Sequence, residues 1–246
     1  MRSFILFIMA AITLAAQTQQ PKIIEFRENI PVSSITGNNF SLIDAGEGII
    51  TSATGASLLS EEKTFPKTSN APFIAMAISV NGSFSGSQDL VFNLVVDGVT
   101  EKLMTDEHAD EIQSRSMIVS QLFFADPNSK NYRVKVTANR SGIVIRGIEV
   151  VLINPGRSVQ VEPEVSLTTE DTYPKPPVVS RTGWGCPIGQ NTNCGNSTTT
   201  VTHLIVHHSA GSNSSSDWAA VLRSIYQLHT ATNGWCDVGY NYLIAP

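Results

Sequence analysis

The strongest constraint on this chain is hydrophobic alternation of period two, broken by turn residues and repeated along the stretch from 74 to 152. Leu90, Phe92, Leu94 and Val96 form one alternating set, and Asp97-Gly98 joins it to Val99–Met104. An Asp-Gly pair between such runs is a strong hairpin signal, because both residues tolerate the positive φ that a tight hairpin turn demands. Ile74, Met76, Ile78 and Val80 alternate with Ala75, Ala77 and Ser79, and Asn81-Gly82 follows. Tyr132, Val134 and Val136 alternate with Arg133, Lys135 and Thr137, so one face of that strand should meet solvent. Ile143 and Ile145 give way to Ile148, Val150 and Leu152, with Gly142 marking a turn and Gly147 a bulge or bend. The only helical candidate in this part is Glu107–Arg115. Many short strands with turn signals predict an all-β sandwich, jelly-roll-like, over residues 21–155.

Composition narrows the partners. The 246 residues are 41% hydrophobic and 15% charged, with a net charge of −5. No block of lysines or arginines is present, so nucleic acid is not expected as the main partner. Met1 to Thr18 reads as a secretory signal: Arg2 is the positive start, Phe4 to Ala16 is apolar, and Ala15 and Ala16 lie near a cleavage point. The rival reading, a membrane anchor, needs about 20 apolar residues, more than this run holds. The mature chain is expected to be secreted, monomeric and without a stable membrane span.

Little in the sandwich suggests chemistry. His108 sits among Asp106, Glu107, Asp110 and Glu111, a pattern that fits a solvated acidic loop better than a metal site. Phe123-Phe124 fits core better than a sugar platform. Residues 156–178 carry Pro163, Pro174, Pro176 and Pro177 among acidic and hydroxyl residues, the composition of a semi-stiff linker.

The third part, 179–246, opens with Trp184-Gly185-Cys186. Leu204, Ile205 and Val206 read as a short buried strand that runs into His207-His208. Asp217 to Leu228 follows as an amphipathic helix, with Trp218, Val221, Leu222, Ile225 and Leu228 on one side. Ser214, Ser215 or Ser216 can cap it, Asp217 adds favourable charge, and Gly234 is placed to end the next turn. Tyr242–Ile244 reads as a second strand. The three cysteines are Cys186, Cys194 and Cys236. In an exported chain the first two, flanking a turn-rich loop, are the expected disulfide; a zinc site is the weaker alternative, and Cys236 is left without a partner.

Trp184-Gly185, Val206-His207-His208-Ser209-Ala210 and Gly234-Trp235-Cys236-Asp237-Val238-Gly239-Tyr240-Asn241 together resemble the zinc-dependent N-acetylmuramoyl-L-alanine amidases and peptidoglycan recognition proteins. The resemblance spans Val178 to Pro246. It implies an α/β domain of that type, a peptidoglycan or muropeptide partner, and Zn2+ as cofactor. By the same resemblance His207 is a zinc ligand and Tyr240 the catalytic donor to the developing oxyanion. His208, Trp184 and Asp237 then take supporting or structural roles. His203 and His229 receive no catalytic role. The family's remaining ligands lie past the position matched by Tyr240, so the domain reads as truncated and this chain as inactive. The alternatives are a non-catalytic peptidoglycan-binding protein, or a cell-wall carbohydrate-binding or adhesive β-sandwich. A histidine downstream followed closely by Cys or Asp would favour the enzyme.

Overall fold

The computed structural model describes residues 20–67, 71–106, 116–162, 176–195, 200–209 and 214–245. The expected signal segment, the helical candidate Glu107–Arg115 with His108, and residues 163–175 of the expected linker lie outside them. Most of the described chain is a sandwich of two antiparallel sheets. The seven-stranded sheet is centred on β7 (Ile74–Ser83) and β13 (Val144–Asn154). β1 (Ile24–Ile30) and β4 (Gly48–Thr51) pair with successive lengths of β13, and β3 (Phe40–Ile43) closes that edge against β4. β10 (Met117–Val119) and β11 (Phe123–Ala125) share the far edge of β7. The six-stranded sheet runs β2 (Thr36–Asn38), β5 (Ala56–Leu59), β12 (Asn131–Ala138), β8 (Leu90–Val96) and β9 (Val99–Leu103), with β6 (Lys63–Thr64) also on β12.

The alternation builds the core. Phe92, Leu94, Tyr132, Val134 and Val136 point inward from one sheet against Met76, Ile78, Val80, Val150 and Leu152 of the other, all but excluded from solvent. The parity change in β13 is a bulge between Ile145 and Gly147, which keeps Ile145 and Ile148 on the same buried side. The Asp97-Gly98 hairpin forms as expected, with φ of 47° and 86° at the two turn residues. Phe123 packs against the inter-sheet core and Phe124 against the cluster on the outer side of the seven-stranded sheet, so both are packing residues.

The C-terminal part differs from expectation. Its one described α-helix, α1 (Trp218–Gln227), packs against the seven-stranded sheet. Ile225 and Leu228 seat on Ala75, Ala77, Val119, Leu122, Val151 and Ile153, the side of that sheet facing away from the inter-sheet core. Alanines on β7 leave room for the helix, and burying two such side chains contributes roughly 1.5–3 kcal/mol each. The cap is Asp217 itself, which accepts the Ala220 amide at 2.8 Å. Ser215, one of the expected caps, accepts instead from the Asp217 amide. A π-turn, Leu228–Thr232, extends the helix, and Gly234 ends the following turn at φ 72°.

No α/β amidase-type domain forms among the described residues. Leu204, Ile205 and Val206, expected to be buried, are 88%, 81% and 78% exposed and lie in no strand. Tyr242–Ile244 forms no strand either. A strand needs a neighbour to satisfy its backbone, and among the described residues neither segment pairs with one.

Candidate functional site

Two regions could carry function: the C-terminal cluster around Tyr240 and the open side of the six-stranded sheet.

In the first, the rings of two histidines pack against Tyr240. The His207 ring centroid lies 5.5 Å from that of Tyr240, and His229 lies 5.6 Å from Tyr240 and 4.4 Å from Trp235. His229 is buried, and its Nδ1 accepts the Gly239 amide at 3.0 Å. That bond fixes Nε2 as the protonated nitrogen of the neutral ring. The sequence assigns His229 no catalytic role; its buried position on the π-turn makes it the organiser of the Gly239–Tyr240 loop. His207 sits in the exposed 200–209 segment with Nδ1 3.1 Å from the His208 carbonyl oxygen. His208 and His203 are exposed as well.

This donor set does not suit zinc. A catalytic site needs three convergent protein ligands. Among the described residues no three His, Cys, Asp or Glu side chains come together. The cysteines are committed elsewhere. Cys194 and Cys236 form a disulfide, which corrects the expected Cys186–Cys194 pair. The reason is packing: the Trp184–Cys186 turn points Cys186 into a cluster with Trp184, Ala219 and Tyr226, where it stays a fully buried thiol. Burial pushes that thiol's pKa up. Cys194, half-buried on its loop, is left to meet the exposed Cys236. The disulfide fits an oxidising compartment. No described helix is long and apolar enough to cross a membrane.

Asp237 is hydrogen-bonded and Trp184 is buried in this region. Asp237 Oδ1 accepts from Arg181 Nη2 at 3.0 Å and from the Val238 amide at 2.8 Å. Burial works to raise the carboxyl's pKa, but hydrogen bonds from Thr192, the Val238 amide and Arg181 outweigh it and hold the pKa low. Arg181 also donates to Cys186 Sγ and lies over the Trp184 ring. The residue that ties this region together is Arg223, invisible to the helix pattern because it sits among apolar neighbours. It is wholly buried and donates to the carbonyls of Pro155 (2.6 Å), Trp184 (2.8 Å) and Arg157 (3.1 Å). Burial lowers its pKa, and Asp217 opposes that fall.

The second region is the outward side of the six-stranded sheet. The register sets one row across five strands: Thr36, Leu59, Lys135, Asn93 and Lys102. Beside it run Arg133, Val95 and Thr100, and on the other side Asn38, Ser57, Thr137 and Val91. All are half-buried or exposed, and the described residues leave the face uncovered. At a strand spacing of about 4.8 Å the row is about 19 Å wide. Arg133 is fixed by a 2.9 Å bond from Nε to the Ser60 carbonyl. Among the described residues Lys102 and Lys135 have no carboxylate partner. The nearby carboxylates are engaged: Glu61 pairs with Lys63, and Asp97 accepts the backbone amides of Lys130 and Asn131. The sequence showed Arg133, Lys135 and Thr137 as a wet face; their alignment with Asn93 and Lys102 needed the register.

No family model matches the chain, and no curated protein does. Solved structures similar to it include the C-terminal family-6 carbohydrate-binding module of LamC from Zobellia galactanivorans, 14% identical, covering 51% of this chain and 98% of that one, with a TM-score of 0.33. A family-15 xylan-binding module is 14% identical over 54% of this chain and 97% of its own, with a TM-score of 0.30. A family-35 module from Cellvibrio japonicus is 16% identical over 53% and 96%, with a TM-score of 0.25. The expectation of an N-acetylmuramoyl-L-alanine amidase, and of an enzyme acting through zinc-activated water, is corrected by the structure: the strand meant to present His207 is not formed, and among the described residues no three side chains able to hold zinc converge.

Proposed function

We propose that this chain is a carbohydrate-binding β-sandwich protein whose ligand lies across the outward side of the six-stranded sheet. The observation that carries the reading is the row Thr36–Leu59–Lys135–Asn93–Lys102, which crosses five strands and sets hydrogen-bonding side chains in register on four of them, on an accessible, rigid surface. Sugars are recognised by arrays of hydroxyl, amide and charged groups held in place before the ligand arrives, since preorganisation lowers the entropic cost of binding. On the opposite outer surface, α1 covers β7 and β13.

The test is a binding survey of the full chain against soluble polysaccharides and insoluble cell-wall glycan, by affinity electrophoresis and pull-down. At least one glycan should be retained, and Asn93→Ala, which removes the amide at the middle of the row, should weaken retention without unfolding the sandwich. No retention by a demonstrably folded chain, or retention indifferent to Asn93→Ala, would refute the reading.

A further inference from the structure

We infer that the ligand of this surface is an acidic polysaccharide bearing carboxylates, a polyuronate rather than a neutral glycan. This rests on the reading of the sheet as a glycan-binding surface. The chain as a whole carries a net charge of −5, yet the outward side chains of β2, β5, β8, β9 and β12 include Lys102, Lys135 and Arg133 and no Asp or Glu. A local excess of positive charge on an acidic protein attracts anions to that place and repels them elsewhere. Lys135 and Lys102 stand two strands apart in one row, about 10 Å between backbones, and Arg133 lies two residues along β12 from Lys135, about 7 Å away. Both lysines keep their full donor capacity, because no described carboxylate neutralises them.

Two further features exclude other ligands. None of the outward residues of those five strands is aromatic, so a neutral sugar would find no ring to stack on, and bases would find none either. The cations are also sparse, three among Thr36, Asn38, Ser57, Asn93, Thr100 and Thr137. That density suits a polymer with no more than one charge per sugar, its hydroxyls meeting the neutral groups. A nucleic acid or heavily sulfated chain would need a denser array of cations.

The experiment is calorimetric titration of the full chain with polygalacturonate, with the same polymer after carboxyl reduction, with heparin and with single-stranded DNA. Polygalacturonate should bind most tightly, and carboxyl reduction should abolish most of the affinity. Lys102→Gln with Lys135→Gln should weaken polygalacturonate binding about tenfold and flatten its salt dependence, because exposed charge contacts are individually modest and additive. Circular dichroism and the unfolding midpoint of the double variant confirm that it folds. Equal binding of the reduced polymer would overturn the acidic class while leaving a glycan-binding protein. Tighter binding of heparin or DNA would overturn it in favour of a denser polyanion. No binding to any polysaccharide would sink both the class and the underlying reading.

Discussion

The two outer surfaces of this sandwich differ in what their sequences make them do. On the seven-stranded sheet, β7 is buried on both sides from Ile74 to Val80, its alanines forming a seat for α1. On the six-stranded sheet, β8 and β12 alternate strictly, and their outward residues include Asn93, Asn131, Arg133, Lys135 and Thr137 beside Val91 and Val95. Small apolar residues invite a cover, while long polar ones hold water and remain open to a ligand.

The comparison can be broken or sharpened by substitution. The largest effect is expected at Arg223. Arg223→Ala removes the donor from the buried carbonyls of Pro155 and Trp184, at about 1–3 kcal/mol each before relaxation, and one donor from the Arg157 carbonyl, so the covered surface should lose about 3–5 kcal/mol of local stability. Hydrogen exchange should show the α1 amides opening while β8 and β12 stay protected. Loss of protection in all three together would mean that the cover and the sandwich are one cooperative unit.

Next is the disulfide. Reduction, or Cys236→Ser, releases a constraint across 42 residues and should destabilise the C-terminal part by about 2–4 kcal/mol. Limited proteolysis should then cut within 176–245 before the strands, and an unchanged pattern would remove the disulfide from the account of the cover.

A smaller effect concerns the sandwich itself. Arg140 donates two bonds to Asp89, and this pair, with help from the Ser85 amide, holds the buried carboxyl's pKa below its ordinary value. The folded pKa is depressed, so this stability is fully present above the unfolded value of about 3.9 and drains away as pH falls through the folded one. Asp89→Asn should cost about 1–3 kcal/mol at neutral pH and flatten the acid limb of the unfolding curve. An acid limb identical to that of the parent chain would contradict it. The smallest effect is on the open side, where Lys135→Gln should change the unfolding free energy by less than about 0.5 kcal/mol. A larger loss in denaturant titration would mark Lys135 as structural and weaken its role as a ligand contact.

Much of the sandwich was legible because alternation is a local signal. Even the β13 bulge shows in the sequence as the shift from Ile143 and Ile145 to Ile148, Val150 and Leu152. The helix was legible for the same reason. The same local signal misled at Leu204–Val206, which is apolar enough for a buried strand but has no strand partner among the described residues, and exposure is the outcome. The Cys194–Cys236 pairing and the three-carbonyl grip of Arg223 depend on chain crossings that spacing does not encode. The open row was half visible, since β12 shows its polar side, but the alignment of Lys135 with Asn93 and Lys102 is a matter of register.

The most direct test of the central claim is a backbone-amide NMR titration of the full chain with polygalacturonate oligomers. Chemical-shift changes should concentrate on β8, β9 and β12 around Asn93, Lys102, Arg133 and Lys135, with α1 silent. Changes centred instead on His207, His229 and Tyr240, or none at saturating oligomer, would contradict the account.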